Sequence, residues 1–74
     1  MITLVVGNTY GRKTELVTGE ETIRELLTTH DVGFDGTITL DGVPVFEDEF
    51  DQPLNSFEIG NKVFLMSIIK SNNN

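Results

Sequence analysis

Asp41-Gly42, set between the runs Thr37-Ile38-Thr39-Leu40 and Val43-Pro44-Val45-Phe46, constrains this chain more than any other feature. Both central positions of a two-residue hairpin loop need φ > 0, which aspartate tolerates and glycine prefers, and the β-branched flanks suit paired strands. The spacing therefore predicts a tight hairpin. An acidic loop follows, then Leu54, Phe57 and Ile59 at the spacing of a single short helical turn. Lys62 to Lys70, dense in β-formers, reads as the longest strand.

Upstream, Ile2, Leu4 and Val6 alternate with Met1, Thr3 and Val5, the period of a strand with one apolar and one mixed face. Gly7-Asn8-Thr9-Tyr10-Gly11 is expected to reverse the chain, its glycines and asparagine supplying left-handed positions. Arg12 to Thr18 returns as a second strand. Its inward face is assigned to Thr14, Leu16 and Thr18 rather than to Glu15 and Val17, because burying a carboxylate without a partner is costly.

Thr22-Ile23-Arg24-Glu25 has the capping-box pattern of a helix start, with Thr18 to Glu21 as a rival box one turn earlier. Ile23, Leu26, Leu27 and His30 follow the i, i+3, i+4, i+7 rule, so one stripe can pack on a sheet while Arg24, Glu25, Thr28 and Thr29 meet water. The helix is expected to end near Asp31, with Gly33 in the terminal left-handed position and with Val32 and Phe34 plugging the core.

One amphipathic helix among this many strands has to lie across one face of a mixed sheet. The expected class is α+β, with a sheet of four to five strands. In element order, residues 1 to 70 resemble the ubiquitin-like β-grasp family. The Gly42 hairpin and the turn Leu54-Asn55-Ser56-Phe57-Glu58-Ile59 carry the resemblance. Residues 71 to 74, Ser-Asn-Asn-Asn, read as a polar disordered tail. A single domain of 74 residues buries roughly 60% of the surface its unfolded chain exposes. With no cysteine, its stability must come from packing.

Charge narrows the partners. Twelve acidic against five basic side chains, a net charge of −7, work against nucleic acid and anionic membranes, so any charged partner is expected to be basic. The first residues, MITLVVGN, have neither the basic region nor the apolar length of a secretory signal, and no stretch approaches a membrane span. A cytoplasmic protein is the default expectation. Within the family, conjugated modifiers and sulfur carriers act through a terminal Gly-Gly, which this sequence lacks; it reads Lys70-Ser71-Asn72-Asn73-Asn74 instead. A carrier role would need a non-standard terminus. The ferredoxin branch of the fold needs four cysteine ligands, also missing. No cofactor is expected.

Glu47, Asp48, Glu49 and Asp51 offer oxygen ligands for a hard cation such as calcium, but without the ligand order of an EF-hand. A solvated loop is the preferred reading and no metal is expected. The alternative is an acidic surface docking a basic patch, loosely similar to the acidic motif of Phox-and-Bem-type scaffold domains. His30 has no recognisable nucleophile or second ligand beside it and reads as structural. Tyr10 is a loop-tip aromatic, and Arg12-Lys13 is too small a basic cluster for nucleic acid. No catalytic residue is identified, so no enzyme is expected.

The final strand is apolar on both faces, Val63, Leu65 and Ile69 on one and Phe64, Met66 and Ile68 on the other. A helix covers only one side of a sheet. The second set is expected on the open side near Val5 and Thr39, where contiguous apolar surface marks an interaction site. Ubiquitin docks partners on the corresponding face. The resemblance thus implies a non-catalytic module that uses Val5, Thr39, Phe64, Met66 and Ile68 to bind another protein, or itself as a homodimer.

Overall fold

The computed structural model describes residues 1–8, 10–33 and 36–68. Its strands are β1 (Ile2–Asn8), β2 (Gly11–Val17), β3 (Thr37–Leu40), β4 (Val43–Val45) and β5 (Lys62–Ile68), with one helix, α1 (Ile23–Thr29), between β2 and β3. Short 3₁₀ turns at Glu47–Glu49 and Leu54–Ser56 bridge β4 to β5. The sheet runs β2-β1-β5-β3-β4, with β1 and β5 parallel and every other pair antiparallel. This is the expected α+β class, in a β-grasp-like arrangement. Ile69, Lys70 and the tail from 71 to 74 lie outside the described residues, as does Phe34.

Strand periodicity builds the core. Leu4 stands beside Val63 and Val6 beside Leu65 across the parallel pair, and Leu65 faces Leu40 across the antiparallel one. These side chains share one sheet face and bury against Ile23, Leu26 and Leu27 of α1, while Leu54 from the second 3₁₀ turn completes the cluster. Leu4, Leu27, Leu54 and Leu65 are fully buried, and each such side chain contributes about 1.5–3 kcal/mol of transfer free energy. Val32 joins them as expected.

The helix is only seven residues long, too short to persist alone. Its start is therefore heavily tied. Thr22 Oγ1 accepts from the Glu25 amide at 3.1 Å and a Glu25 carboxylate oxygen accepts from the Thr22 amide at 2.9 Å, the predicted capping box. The Arg24 amide donates to the Phe50 carbonyl at 3.0 Å, joining the helix start to the loop after the first 3₁₀ turn. The rival Thr18–Glu21 pair also forms, but as a local brace, with Thr18 Oγ1 3.0 Å from Glu21 Oε1. At the other end Asp31, with φ 58°, takes the left-handed position expected of Gly33, and the Val32 amide donates to the Leu27 carbonyl at 2.8 Å.

Both hairpins form, and one differs from expectation in detail. Asp41 and Gly42 have φ of 53° and 86°, as the loop requires. Gly7 and Gly11 instead lie within strands, opposite Arg12 and Asn8. Asn8 Oδ1 accepts from the Tyr10 and Gly11 amides at 2.9 and 3.2 Å, which shortens the connection to Thr9-Tyr10. Gly7 is needed for proximity rather than for a positive φ, because a Cβ there would meet the Gly11 carbonyl oxygen at 2.2 Å.

That short connection overturns the face assigned to β2. Register pairs Leu4 with Glu15 and Ile2 with Val17, so Glu15 and Val17 face the helix side, while Thr14 and Leu16 face the open side with Val5 and Thr3. The carboxylate does have a partner: Glu15 Oε2 lies 3.0 Å from Nε2 of His30, the residue that ends α1. The two groups meet at ion-pair distance without the alignment of a hydrogen bond. Leu16 is 62% exposed.

Candidate functional site

The open face of the sheet is built row by row from strand register. Leu16, Thr3 and Lys62 form one row; Thr14, Val5 and Phe64 the next; Arg12, Gly7, Met66, Thr39 and Pro44 a third; Ile68 and Thr37 a fourth. All five residues expected on this face are on it. They are not equally available. Val5 and Thr39 are 5% and 8% exposed, the floor of the surface, whereas Phe64 is 37% and Ile68 51% exposed and Met66 is half-buried.

Physically, the inner rows of a five-stranded sheet are screened by side chains on both sides, so the small residues of β1 and β3 sink beneath the larger ones of β5. Lys62 adds to the cover, with Nζ 5.3 Å from the Phe64 ring centroid, a cation–π distance. Phe64 is also held from behind, its amide donating to Asp41 Oδ1 at 2.9 Å. The apolar surface on offer consists of Phe64, Met66 and Ile68, together with Leu16, which the sequence-based assignment sent inward. The two-residue spacing between Asn8 and Gly11 is the signal that would have placed Leu16 correctly, since it fixes the pairing of the whole hairpin.

The charge on this face differs from that of the chain. No open-face position of the described strands carries a carboxylate, and two carry cations, Arg12 and Lys62. The expectation of a basic partner followed from net charge alone, whereas the charged side chains on this face of the described strands are both cations.

The acidic loop serves the fold. Glu49 Oε1 accepts from the Phe46 amide at 3.0 Å and the Glu49 amide donates to the Phe46 carbonyl at 2.8 Å, closing the first 3₁₀ turn on its own start. Asp51 takes the Arg24 guanidinium in two contacts, Nε to Oδ1 at 2.8 Å and Nη2 to Oδ2 at 3.4 Å. The guanidinium holds the Asp51 carboxyl below its usual range and is itself stabilised in the charged form. Arg24 also lies 5.7 Å from the centroid of the Phe50 ring. Glu47 and Asp48 are exposed. Among the described residues no three acidic, histidine or cysteine side chains are gathered to hold a metal ion.

Tyr10 is exposed at its hairpin tip, and among the described residues the His30 ring has no polar contact besides the Glu15 one described above. No described helix is long and apolar enough to cross a membrane. Compared with known proteins, the chain matches no family model, no curated protein and no solved structure.

Proposed function

We propose that this chain is a non-catalytic, ubiquitin-like interaction module that binds another protein through the open face of its sheet. One observation carries the reading: Phe64, Met66, Ile68 and Leu16 lie on a face where the described strands carry no carboxylate, flanked by Arg12 and Lys62, on a protein of net charge −7. Apolar side chains grouped on an otherwise acidic domain gain most by desolvation against a partner, and the cations select for an apolar segment with acidic flanks. Val5 and Thr39 would support the contact from beneath rather than make it.

The test is a chain carrying both Met66→Asp and Ile68→Asp. Circular dichroism and melting temperature should stay close to the parent, because both positions are at least partly open to water. Capture from extract of the source cell, with bound proteins identified by mass, should lose a defined set of acidic-flanked partners, and Lys62→Glu should weaken the same set. Identical proteins retained by the parent and by a folded double variant would remove the open face from the function.

A further inference from the structure

The two edges of the sheet are treated differently. β4 is three residues long and carries Pro44, so this edge is short and lacks one backbone donor. β2 is seven residues long, contains no proline, and is exposed from Gly11 through Leu16. Its outer backbone groups have no strand beside them, because β2 is the terminal member of the strand order. An edge of this kind either repels other strands or selects one.

The side chains of β2 select. Gly11-Arg12-Lys13-Thr14-Glu15-Leu16-Val17 laid antiparallel to itself about Thr14 sets Lys13 opposite Glu15 twice, Thr14 opposite Thr14, and Arg12 opposite Leu16. Residues facing each other in that register have the same parity. The backbone groups turned outward on one copy therefore meet their counterparts on the other, and the two helices stay on one side of the joined sheet. Shifting the two-fold centre to Arg12, Lys13 or Glu15 also preserves parity but places like charges against each other on the axis. A two-fold centre that falls between two residues pairs opposite parities and mismatches the backbone groups. The charges that discourage arbitrary pairing are thus complementary in the register centred on Thr14.

We infer that two copies of this chain associate through antiparallel β2–β2 pairing about Thr14, with Lys13 of each copy against Glu15 of the other, to give one continuous ten-stranded sheet. Among the described residues neither Arg12 nor Lys13 has an ion pair within its own chain, so Lys13 is uncommitted. Glu15 would stand between His30 of its own chain and Lys13 of the second copy. A single pair of seven-residue strands is a small interface, in the size range of transient association. The pairing uses the outer backbone of β2 with Lys13 and Glu15, which face the helix side, whereas Phe64, Met66 and Ile68 stand on β5, two strands away on the open face, so substitutions at one set test one proposal and leave the other in place.

Sedimentation velocity up to millimolar protein tests this. The parent should pass from an 8.2 kDa monomer to a dimer with rising concentration. Lys13→Glu and Glu15→Lys should each weaken self-association by about tenfold or more, since each turns two attractive pairs into repulsive ones. An equimolar mixture of the two should dimerise again, because every cross-strand pair is then opposite in sign. Thr14→Glu mixed with Thr14→Lys repeats the test without touching the Glu15–His30 contact, and decides the matter if Glu15→Lys fails to fold. A parent that stays monomeric at millimolar concentration overturns the inference, as do folded charge variants that dimerise like the parent. Loss of the dimer in the Met66→Asp, Ile68→Asp chain alone would likewise overturn it, moving self-association to the open face.

Discussion

Asp41 and Phe64 exchange two hydrogen bonds, the Asp41 amide donating to the Phe64 carbonyl at 2.8 Å and Asp41 Oδ1 accepting from the Phe64 amide at 2.9 Å. The β3–β4 hairpin is clasped to the closing strand at the residue that presents an aromatic ring on the open face. Asp41→Ala is expected to cost about 1–2 kcal/mol, from the lost acceptor and from a left-handed backbone that alanine tolerates poorly. Asp41→Asn keeps both properties and should lose much less. Denaturant unfolding gives the energies and amide exchange at Phe64 the location; equal stability of the parent and Asp41→Ala would show that the clasp contributes nothing.

Gly7→Ala should destabilise the first hairpin by at least about 2 kcal/mol, because the new methyl group would overlap backbone rather than a movable side chain. The nearest atoms are the Gly11 carbonyl oxygen at 2.2 Å and Arg12 Cα at 2.5 Å. Gly11→Ala meets no atom within 4 Å. Thermal melts of the two variants should therefore separate clearly, and equal melting temperatures would contradict the register described for β1 and β2.

Removing the helix cap with Thr22→Ala is expected to cost about 1 kcal/mol, whereas Thr22→Ser, which keeps the acceptor, should cost only a few tenths. The capping box and the Arg24 amide bond to the Phe50 carbonyl tie this start to the rest of the fold, so the loss should appear in global unfolding rather than as local fraying. A Thr22→Ala chain as stable as Thr22→Ser would make the box incidental.

Acid should unfold this protein partly through two carboxyls held below their usual range. Glu21 is lowered first by a hydrogen bond to its own backbone amide, then by the Thr18 hydroxyl and the Gly19 and Thr18 amides; Asp51 is lowered first by its hydrogen bond with Arg24. For each, the unfolded chain binds the proton more readily, so the stabilisation is complete above the ordinary carboxylate range, about pH 4, and is lost as pH falls through the depressed folded value. Melting temperature followed from pH 6 downward should fall less steeply for Glu21→Gln than for the parent. An unchanged slope would exclude Glu21 from acid unfolding.

Much of the architecture was legible because its signals are local. Asp41-Gly42 announces a turn through backbone sterics, Thr22 and Glu25 announce a helix start through hydrogen-bonding reach, and the alternation of Leu4 and Val6 or Val63 and Leu65 announces faces through strand period. The 3₁₀ turn at Glu47–Glu49 went unread. Its closing bond reaches from the Phe46 amide to Glu49, and four acidic residues in a run of five suggest solvent before they suggest structure.

For the open face, sequence located Phe64, Met66 and Ile68 on the right strand and the right side, since both follow from periodicity. It placed Leu16 on the wrong side, and it could not grade exposure: that Val5 sinks while Ile68 stands clear depends on which neighbours flank each row. Net charge has the same limit, because a total of −7 says nothing about which face of the described strands is left without carboxylates.

By itself, then, the sequence determined the elements, their order and the two-faced character of β5, all of which arise from interactions within a few residues. Tertiary structure alone decided how far each row of the sheet is covered and which side chain meets Glu15 on the helix side. His30, fifteen positions away, arrives 3.0 Å from its carboxylate, which stays in contact with water, and what a charged side chain meets depends on where the rest of the chain packs.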